Sequence, residues 1–321
     1  MSSLLQPSSP TQPGLSVVIP VYNSAAILPQ IVGRLEPVLA ATGQPHELIL
    51  VNDGSRDDSW RAIQQLAAQR PWVRGLDMMR NYGQHNALLA GVRAARFDLT
   101  VTMDDDLQHP PEELPKLLAK AAAGFDAVYG PPEREQHGLL RDLASVVTKI
   151  VLQGAMGAET ARMVSAYRVF RTRLREAFAS YNSPFVNLDV LLTWGTTRFA
   201  AVPVRHESRA QGTTNYTYAK LIRHTLNMMT GFSVLPLQLA SVIGFAFTLF
   251  GMGVLAYVLG VYLFTGSSVA GFPFLASIIA IFAGAQLFAL GIMGEYLARI
   301  HFRTMDKPAY AIREATKDDT I

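Results

Sequence analysis

The feature that most constrains this chain is a run of 62 residues, Ser233 to Gly294, that contains no Asp, Glu, Lys or Arg. A helix needs about 20 apolar residues to cross the hydrocarbon core of a bilayer, so this run has room for two crossings. Residues 265–273 contain Gly, Ser and Pro and divide the run into two parts, about 235–264 and 274–294. We predict a transmembrane hairpin; a buried hairpin in a large soluble core is the alternative.

Basic residues flank the run on both sides. Lys220 and Arg223 precede it, and Arg299 and Arg303 follow it. Because cytoplasmic flanks of membrane spans carry an excess of Lys and Arg, both ends are expected in the cytoplasm. Residues 1–14 lack the basic and apolar regions of a signal peptide, so we expect a disordered lead and a cytoplasmic N-terminal domain.

The segment just before the run has a different pattern. Apolar residues recur at helical spacing within 216–232, and Lys220, Arg223 and His224 lie between them. This pattern is typical of a basic amphipathic helix on a membrane surface. An ordinary packed surface helix is the alternative.

Composition excludes several classes of protein. Half of the residues are hydrophobic, which is too many for a disordered chain. The absence of Cys excludes a disulfide scaffold, a Cys-ligated zinc protein and a thiol enzyme. The basic residues are not clustered with aromatic ones, so no nucleic-acid partner is expected, and the net charge of +3 fits a membrane flank.

Short apolar runs alternate with helical patterns from residue 15 onward. Strands are predicted at 15–21, 47–51, 73–78, 99–103 and 126–129, and helices at 24–41, after Asp57 or Asp58, at 84–95 and from Pro111. Strands alternating with helices imply βαβ units and a mostly parallel sheet, the α/β class. In such sheets ligands bind beyond the carboxyl ends of the strands.

Three consecutive carboxylates, Asp104, Asp105 and Asp106, follow the fourth predicted strand. In extended chain Asp104 and Asp106 face one way and Asp105 the other. With Gln108, the first and third form an oxygen-only site suited to Mg²⁺ or Mn²⁺, with phosphate oxygens completing the coordination. An acidic loop that caps the next helix is the alternative.

Asp53 follows the second predicted strand, where it is either part of a common Asp-Gly-Ser turn or an acceptor for a nucleotide base or ribose. No Gly-rich phosphate loop follows the first strand, so a metal and cationic side chains would have to neutralise phosphates. The candidate cations are Arg80, His85, Arg134, Arg141, Lys149, Arg168 and Arg209.

The motifs VIPVYN (18–23), VNDGS (51–55) and DDDLQHPPE (104–112) resemble those of family 2 glycosyltransferases with a GT-A fold. RNYGQHNA (80–87), HESRAQGTTNY (206–216) and the two apolar segments narrow the resemblance to polyprenyl-phosphate glycosyltransferases. That group includes dolichol-phosphate mannose synthases, bactoprenol glucosyltransferases and undecaprenyl-phosphate aminoarabinose transferases. The resemblance implies a disordered lead at 1–14, a GT-A domain at 15–215, an interfacial helix at 216–232, a transmembrane hairpin at 233–296 and a cytoplasmic tail at 297–321.

The resemblance also implies roles for individual residues. The nucleotide positions are Pro20, Tyr22, Asn23, Asp53 and Asp105, and the metal positions are Asp104, Asp106 and Gln108. The acceptor-phosphate positions are Ser165, Arg168 and Arg209, with Arg134 or Arg141 replacing a family Lys where this chain has Asn215. Asp189 is a candidate for orientation or base work, or alternatively a helix-cap carboxylate. The family often has Glu where this chain has Ser24.

The implied activity is inverting transfer of a sugar from a nucleotide-diphosphate donor, UDP-linked by resemblance, to polyprenyl phosphate. The implied place is the cytoplasmic face of a bacterial inner membrane, and some relatives assemble as tetramers. One alternative is a processive polysaccharide synthase, but none of the three tryptophans completes the Gln-x-x-Arg-Trp motif of those enzymes. The other is a non-catalytic membrane subunit that binds sugar lipids.

Overall fold

The computed structural model describes residues 12–133, 156–207, 235–265, 271–305 and 307–317. The predicted interfacial helix at 216–232 lies outside the described residues. So do four of the candidate phosphate-binding cations, Arg134, Arg141, Lys149 and Arg209.

The described strands form one mixed sheet of eight, in the order β7-β5-β6-β4-β1-β2-β3-β8. Their bounds are β1 Gln12–Val21, β2 His46–Asn52, β3 Val73–Met78, β4 Phe97–Thr102, β5 Ala127–Tyr129, β6 Arg168–Arg171, β7 Phe199–Ala201 and β8 Ile312–Ala315. The central pairs β1–β2, β1–β4 and β2–β3 are parallel, whereas β6 and β8 run antiparallel to their neighbours. The prediction of a mostly parallel α/β sheet is therefore confirmed.

Helices alternate with these strands and continue beyond them. Their bounds are α1 Leu28–Ala41, α2 Ser59–Gln69, α3 Gln84–Ala94, α4 Leu114–Ala122, α5 Ala158–Met163, α6 Leu188–Thr193, α7 Leu235–Thr265 and α8 Phe272–Thr304. Two 3₁₀ segments, Pro111–Glu113 and Thr172–Phe178, precede α4 and follow β6.

Alternate residues of the central strands enter two hydrophobic layers. Val17 and Ile19 of β1 face a layer formed with α1, α2 and α4, whereas Val18 faces a layer formed with α3 and α6. All three side chains are fully buried. Burying such a side chain contributes about 1.5–3 kcal/mol, so helices on both faces hold the strand ends in fixed positions.

Two helices begin later than the sequence pattern predicts, and proline explains both differences. The helix predicted from residue 24 begins at Leu28, with Pro29 in its first turn. The helix predicted from Pro111 is a 3₁₀ turn until Leu114, where α4 begins with Pro115 in its first turn. Proline lacks the amide hydrogen needed inside a helix, so it is accommodated where the helix starts.

The predicted apolar hairpin corresponds to α7 and α8. Both helices contain candidate membrane spans, Pro236–Phe264 with mean hydropathy 2.2 and Ile281–His301 with mean hydropathy 1.4. Neither span is buried inside the protein, so the alternative of a soluble core hairpin is wrong. The two helices contact each other through the rings of Phe247 and Phe282, 5.7 Å apart.

The C-terminal residues return to the sheet formed by the N-terminal part of the chain, which the sequence pattern does not predict. β8 pairs antiparallel with β3, with Asp77 opposite Glu314. Arg313 Nη1 donates to the buried Asp77 carboxylate at 3.1 Å, and the Gly75 amide donates to Thr316 Oγ1 at 2.9 Å. The chain that follows α8 is thus an edge strand of the same sheet that contains β1.

Candidate active site

A cleft of about 330 Å³ opens at the carboxyl ends of β1, β2 and β4. Its lining contains three carboxylates of the 104–106 triplet and the end of β1. The full lining is Pro20, Val21, Tyr22, Asp53, Asn81, Gly83, Gln84, Asp104, Asp105 and Asp106. The structure therefore brings together the ends of the three strands that the sequence singled out.

Asp104 and Asp106 are held by different contacts. Gln84 Nε2 donates to Asp104 Oδ1 at 2.6 Å, and the Gln108 amide donates to Asp106 Oδ1 at 3.1 Å. Leu107, between Asp106 and Gln108, has a left-handed backbone with φ of +58°. All three residues of the triplet line the cleft, and the chain turns sharply directly after them.

Asp105 has a separate environment. Its Oδ2 accepts from the Tyr22 amide at 3.1 Å and from Ser24 Oγ at 2.5 Å. Burial raises the pKa of the Asp105 carboxyl, although these hydrogen bonds favour its charged form. Asp105 therefore connects the triplet to the end of β1.

The Asp53 carboxylate holds a neighbouring loop. Its two oxygens accept from the Tyr82 amide at 2.7 Å and the Gly83 amide at 2.9 Å. Burial raises the pKa of Asp53 to about 6. Gly54 beside it has φ of +64°, and a Cβ there would lie 2.5 Å from the Arg80 backbone, so only glycine fits this approach.

The other predicted nucleotide positions have mixed placements. Pro20 and the half-exposed Tyr22 line the cleft. Asn23 is not among the lining residues; its side-chain oxygen accepts from the Arg56 amide at 2.8 Å, and its backbone has φ of +55°. Asn23 thus shapes the turn after β1.

Arg168 and Asp189, predicted for separate roles, form a buried ion pair. The Arg168 guanidinium binds Asp189 Oδ1 through Nη1 and Thr102 Oγ1 through Nε at 2.8 Å. The Tyr129 hydroxyl donates to the same Asp189 oxygen at 3.1 Å. Arg168 is only 2% exposed, which is not the arrangement expected of a side chain that contacts an acceptor phosphate.

The helix-cap alternative for Asp189 is wrong. Asn187 caps α6, because its side-chain oxygen accepts from the Val190 amide at 3.1 Å. The alternative that the triplet is an acidic loop capping the next helix also finds no support. The N-cap residues are Pro110 for the 3₁₀ turn and Glu113 for α4, and neither belongs to the triplet.

Three other predicted residues have structural contacts. Ser165 Oγ donates to the Gly130 carbonyl at 2.8 Å. The Arg80 guanidinium lies 4.5 Å from the centre of the Tyr82 ring. His85 Nδ1 accepts from the Leu188 amide at 3.3 Å, which connects α3 to α6.

The described start of the predicted acceptor segment is attached to the loop after β4, which contains the carboxylate triplet. The Glu207 amide donates to the Gln108 carbonyl at 2.9 Å, and the rings of His206 and His109 lie 5.1 Å apart. Arg34 of α1 binds Glu207 at 3.0 Å and Glu112 at 2.7 Å. Arg209, further along this segment, lies outside the described residues.

Asp104 and Asp106 suit a hard divalent cation. Both residues line one cleft. Proteins commonly hold Mg²⁺ with one or two carboxylates, while substrate phosphates supply further oxygen ligands. Gln108 is not among the lining residues. Within the described ranges no group of three or more His, Asp or Glu side chains is placed to hold a metal.

A larger cavity of about 420 Å³ lies at the opposite end of the sheet, near the start of β4. Most of its lining is apolar, including Val38, Leu99 and Leu118. Its carboxylate, Asp98, accepts from the Gly14 amide at 2.8 Å. The cluster of carboxylates therefore identifies the smaller cleft as the candidate site.

Sequence reasoning missed Gln84 as a site residue. It lines the cleft and donates to Asp104, yet it entered the sequence argument only as a letter of RNYGQHNA. The available signal was position, because Gln84 begins the helix that follows the third strand, and such helix starts lie at the carboxyl edge of a parallel sheet.

Residues 16–177 match the family model described as glycosyl transferase family 2. An undecaprenyl-phosphate 4-deoxy-4-formamido-L-arabinose transferase of Shewanella sediminis is 34% identical over 96% of this chain and 95% of its own length. Enzymes of the same name from Klebsiella pneumoniae and Pseudomonas aeruginosa are 32% and 33% identical. The Klebsiella match covers 94% of each chain, and the Pseudomonas match covers 94% of this chain and 90% of the relative.

Solved structures of glucosyl-3-phosphoglycerate synthase from Mycobacterium tuberculosis have a similar fold. A complex with Mn²⁺, UDP-glucose and phosphoglyceric acid has a TM-score of 0.50, with 19% identity, over 68% of this chain and 79% of that chain. A complex with Mn²⁺, UDP and glucosyl-3-phosphoglycerate has a TM-score of 0.51, with 19% identity, over 68% and 78%. The predicted GT-A fold is confirmed.

Proposed function

Because this chain belongs to glycosyl transferase family 2, we propose that it transfers a sugar from a nucleotide-diphosphate donor to undecaprenyl or a similar polyprenyl phosphate. The observation that carries the proposal is the pair of carboxylates, Asp104 and Asp106, in a cleft of about 330 Å³. Ligand pockets start at about 300 Å³, so this cleft suits a nucleotide rather than a whole glycolipid. UDP is the proposed nucleotide, as in the structural neighbours.

We assign donor binding to the cleft. Pro20 and Tyr22 would form the wall for the nucleotide, while Asp105 and Asp53 fix the loops on either side. Asp104 and Asp106 would hold Mg²⁺ or Mn²⁺, which when bound supplies Lewis-acid neutralisation of the diphosphate leaving group.

The acceptor itself removes the need for a strong base. A phosphate monoester has a second pKa of about 6 and is mostly ionised at neutral pH. Attack by its oxygen on the anomeric carbon, opposite the leaving diphosphate, inverts the configuration there. Arg168 and Asp189 are then positioning residues for the loop that follows β4, and Arg209 is the proposed cation for the acceptor phosphate.

The pairing of strands in the sheet supports the proposed membrane arrangement. β3 lies before the two candidate spans and β8 lies after them, yet the two strands pair. Paired strands lie on the same side of the membrane, so the chain between them must cross it an even number of times, which supports a hairpin with both flanks on one side. The basic residues of these flanks support the cytoplasmic side of a bacterial inner membrane. The lipid phosphate and the donor would meet there.

The activity is tested with purified full-length protein, UDP-sugars and undecaprenyl phosphate. We expect Asp106→Ala to reduce metal-dependent transfer by roughly 10²-fold or more, because a metal-held leaving group contributes several kcal/mol. Asp98→Asn, at the opposite end of β4, is the matched control and should transfer normally. Undiminished transfer by Asp106→Ala contradicts the assignment.

The hairpin is tested with single cysteines, because the natural chain has none. Ser3→Cys and Ser267→Cys introduce one thiol each, in the lead and between the two spans. In intact spheroplasts an impermeant maleimide should label only Ser267→Cys, and permeabilisation should expose both. Labelling of Ser3→Cys before permeabilisation contradicts a cytoplasmic N terminus.

A further inference from the structure

The first three side chains of α3 contact three different parts of the protein. Gln84 donates to Asp104 at 2.6 Å, and His85 accepts from the Leu188 amide at 3.3 Å. Asn86 turns away from both and is buried. Successive helical residues point about 100° apart, so one turn of helix can contact three separate elements.

Asn86 connects α3 to two segments that are distant in sequence. Its Nδ2 donates to the Ala309 carbonyl at 2.5 Å and to the Pro184 carbonyl at 3.2 Å. Ala309 follows α8, and Pro184 precedes α6. The bond to the Ala309 carbonyl is buried, and a buried polar group that loses its partner costs about 1–3 kcal/mol.

Both segments are attached to the end of the second candidate span. The Arg299 guanidinium, near the end of α8, lies 4.6 Å from the centre of the Phe185 ring. Ala309 is 1% exposed, and its amide donates to Asn182 Oδ1 at 3.4 Å. Two residues further on, the Ala311 carbonyl accepts from the Met79 amide at 2.9 Å.

We propose that Asn86 is a positioning residue through which the segment after α8 sets the orientation of the metal-binding carboxylate Asp104. The route runs from Ala309 to Asn86, along the first turn of α3 to Gln84, and from Gln84 to Asp104. The donor site is then complete only when the chain that leaves the membrane is seated against α3. This inference rests on the proposed metal-dependent use of the cleft.

The test compares Asn86→Ala, Gln84→Ala and the control Asn182→Ala in full-length detergent-solubilised protein. Asn182 Oδ1 accepts from the amide of the same Ala309 in a longer bond of 3.4 Å, whose loss leaves the bond between Asn86 and Ala309 in place. The first readout is Mn²⁺ binding by electron paramagnetic resonance without substrates. The second is the set of kcat and KM values for donor and acceptor.

We expect Asn86→Ala and Gln84→Ala each to weaken Mn²⁺ binding and raise donor KM by about tenfold, the effect of one lost hydrogen bond to a charged group. Acceptor KM should change less than twofold, and Asn182→Ala should behave as the wild type. Because both residues act along one route, the double variant should be no worse than either single variant.

Two results overturn the proposal. One is a folded Asn86→Ala with wild-type Mn²⁺ affinity and donor KM, and the other is full additivity in the double variant. Gln84 is exposed and tolerates truncation, so unchanged Mn²⁺ affinity in Gln84→Ala overturns the proposal even if Asn86→Ala fails to fold. Failure of the proposed function is distinct: the wild type would then bind Mn²⁺ but transfer no sugar to undecaprenyl phosphate.

Discussion

Arg168 on β6 and Asp189 on α6 form an ion pair inside the protein, with side chains only 3% and 6% exposed. Burial alone disfavours a charged guanidinium, but the Asp189 carboxylate raises the pKa of Arg168 above its ordinary value. Arg168 also donates to Thr102, the last residue of β4, two positions before Asp104. The pair therefore holds the end of β4, from which the loop with the carboxylate triplet continues.

We expect Asp189→Asn to lower kcat by about 10²-fold, because a small displacement of reacting groups has effects of that size. The shape of the pH–rate profile should remain, with its acidic limb set by protonation of the acceptor phosphate near pH 6. The free energy of unfolding should fall by about 3–5 kcal/mol, since a buried charge loses its partner. Steady-state kinetics across pH and chemical unfolding measure both effects.

Asp126→Asn is the matched control for this prediction. Asp126 pairs with Arg171 of the same strand at 3.2 Å, but the Arg171 side chain is 36% exposed. Such a pair contributes at most about 1 kcal/mol, so kcat should stay unchanged. A pH–rate profile that loses its acidic limb in Asp189→Asn would instead identify Asp189 as a base.

Asp53 should give the protein a pH-dependent stability. Its folded-state pKa of about 6 lies above the ordinary value of 3.8, so the folded protein binds more protons than the unfolded chain between these values. The additional proton binding by Asp53 in the folded state stabilises the protein. This stabilisation is present in full below about pH 4, and the free energy of unfolding falls by roughly 2–3 kcal/mol as the pH rises through about 6.

The variant Asp53→Asn isolates this effect. The difference in unfolding free energy between wild type and variant should change between about pH 4 and about pH 6 and be constant above that range. The variant should also bind donor more weakly, because the Tyr82 and Gly83 amides donate to different Asp53 oxygens and an amide group replaces one of these acceptors with an NH2 donor. A pH-independent difference contradicts the prediction.

Gly91 allows α3 to approach the sheet closely. A Cβ at this position would lie 2.3 Å from Val18 Cγ1 and 3.1 Å from Val51 Cγ2. We expect Gly91→Ala to destabilise the protein by about 1–3 kcal/mol despite the better helix propensity of alanine. Gly33, in α1, has no atom within 4 Å of such a Cβ, so Gly33→Ala should stabilise by about 0.5–1 kcal/mol. Thermal unfolding of the two variants should shift in opposite directions.

The parts of the fold that local pattern dictates were predictable. β1 to β4 and their helices follow from apolar periodicity, because each element buries one face in a layer that its own sequence supplies. β8 was not predictable, since Ile312–Ala315 is short and its pairing with β3 depends on where α8 ends. The triplet was located by a sequence rule, because strand ends of a parallel sheet meet at one edge.

The partners of the site residues were not predictable from the sequence. Nothing local to Arg168 indicates that it lies beside Asp189, because the contact depends on how β6 and α6 meet across the sheet. Asp53 likewise accepts hydrogen bonds from the Tyr82 and Gly83 amides, because the fold places the end of β2 beside the start of α3. Residue type indicated which side chains matter, and tertiary packing determined what each one contacts.

The contact between Ser24 and Asp105 gives a last prediction, at a position where the family often has Glu. Ser24 Oγ donates to the partly buried Asp105 carboxylate, and the Tyr22 amide donates to the same oxygen. Loss of a hydrogen bond to a charged group costs about 1.5–3 kcal/mol, so Ser24→Ala and Asp105→Asn should each weaken nucleotide binding through the displaced Tyr22.

A double-mutant cycle measured by calorimetric titration of UDP tests whether the two residues act together. We expect the double variant to lose no more affinity than Asp105→Asn alone, because removing either partner already breaks the contact. Ser55→Ala is the control, since Ser55 accepts from the Asn23 amide in the adjacent turn without contacting Asp105. Independent, additive losses would mean that Ser24 affects the cleft by another route, because a shared contact cannot be lost twice.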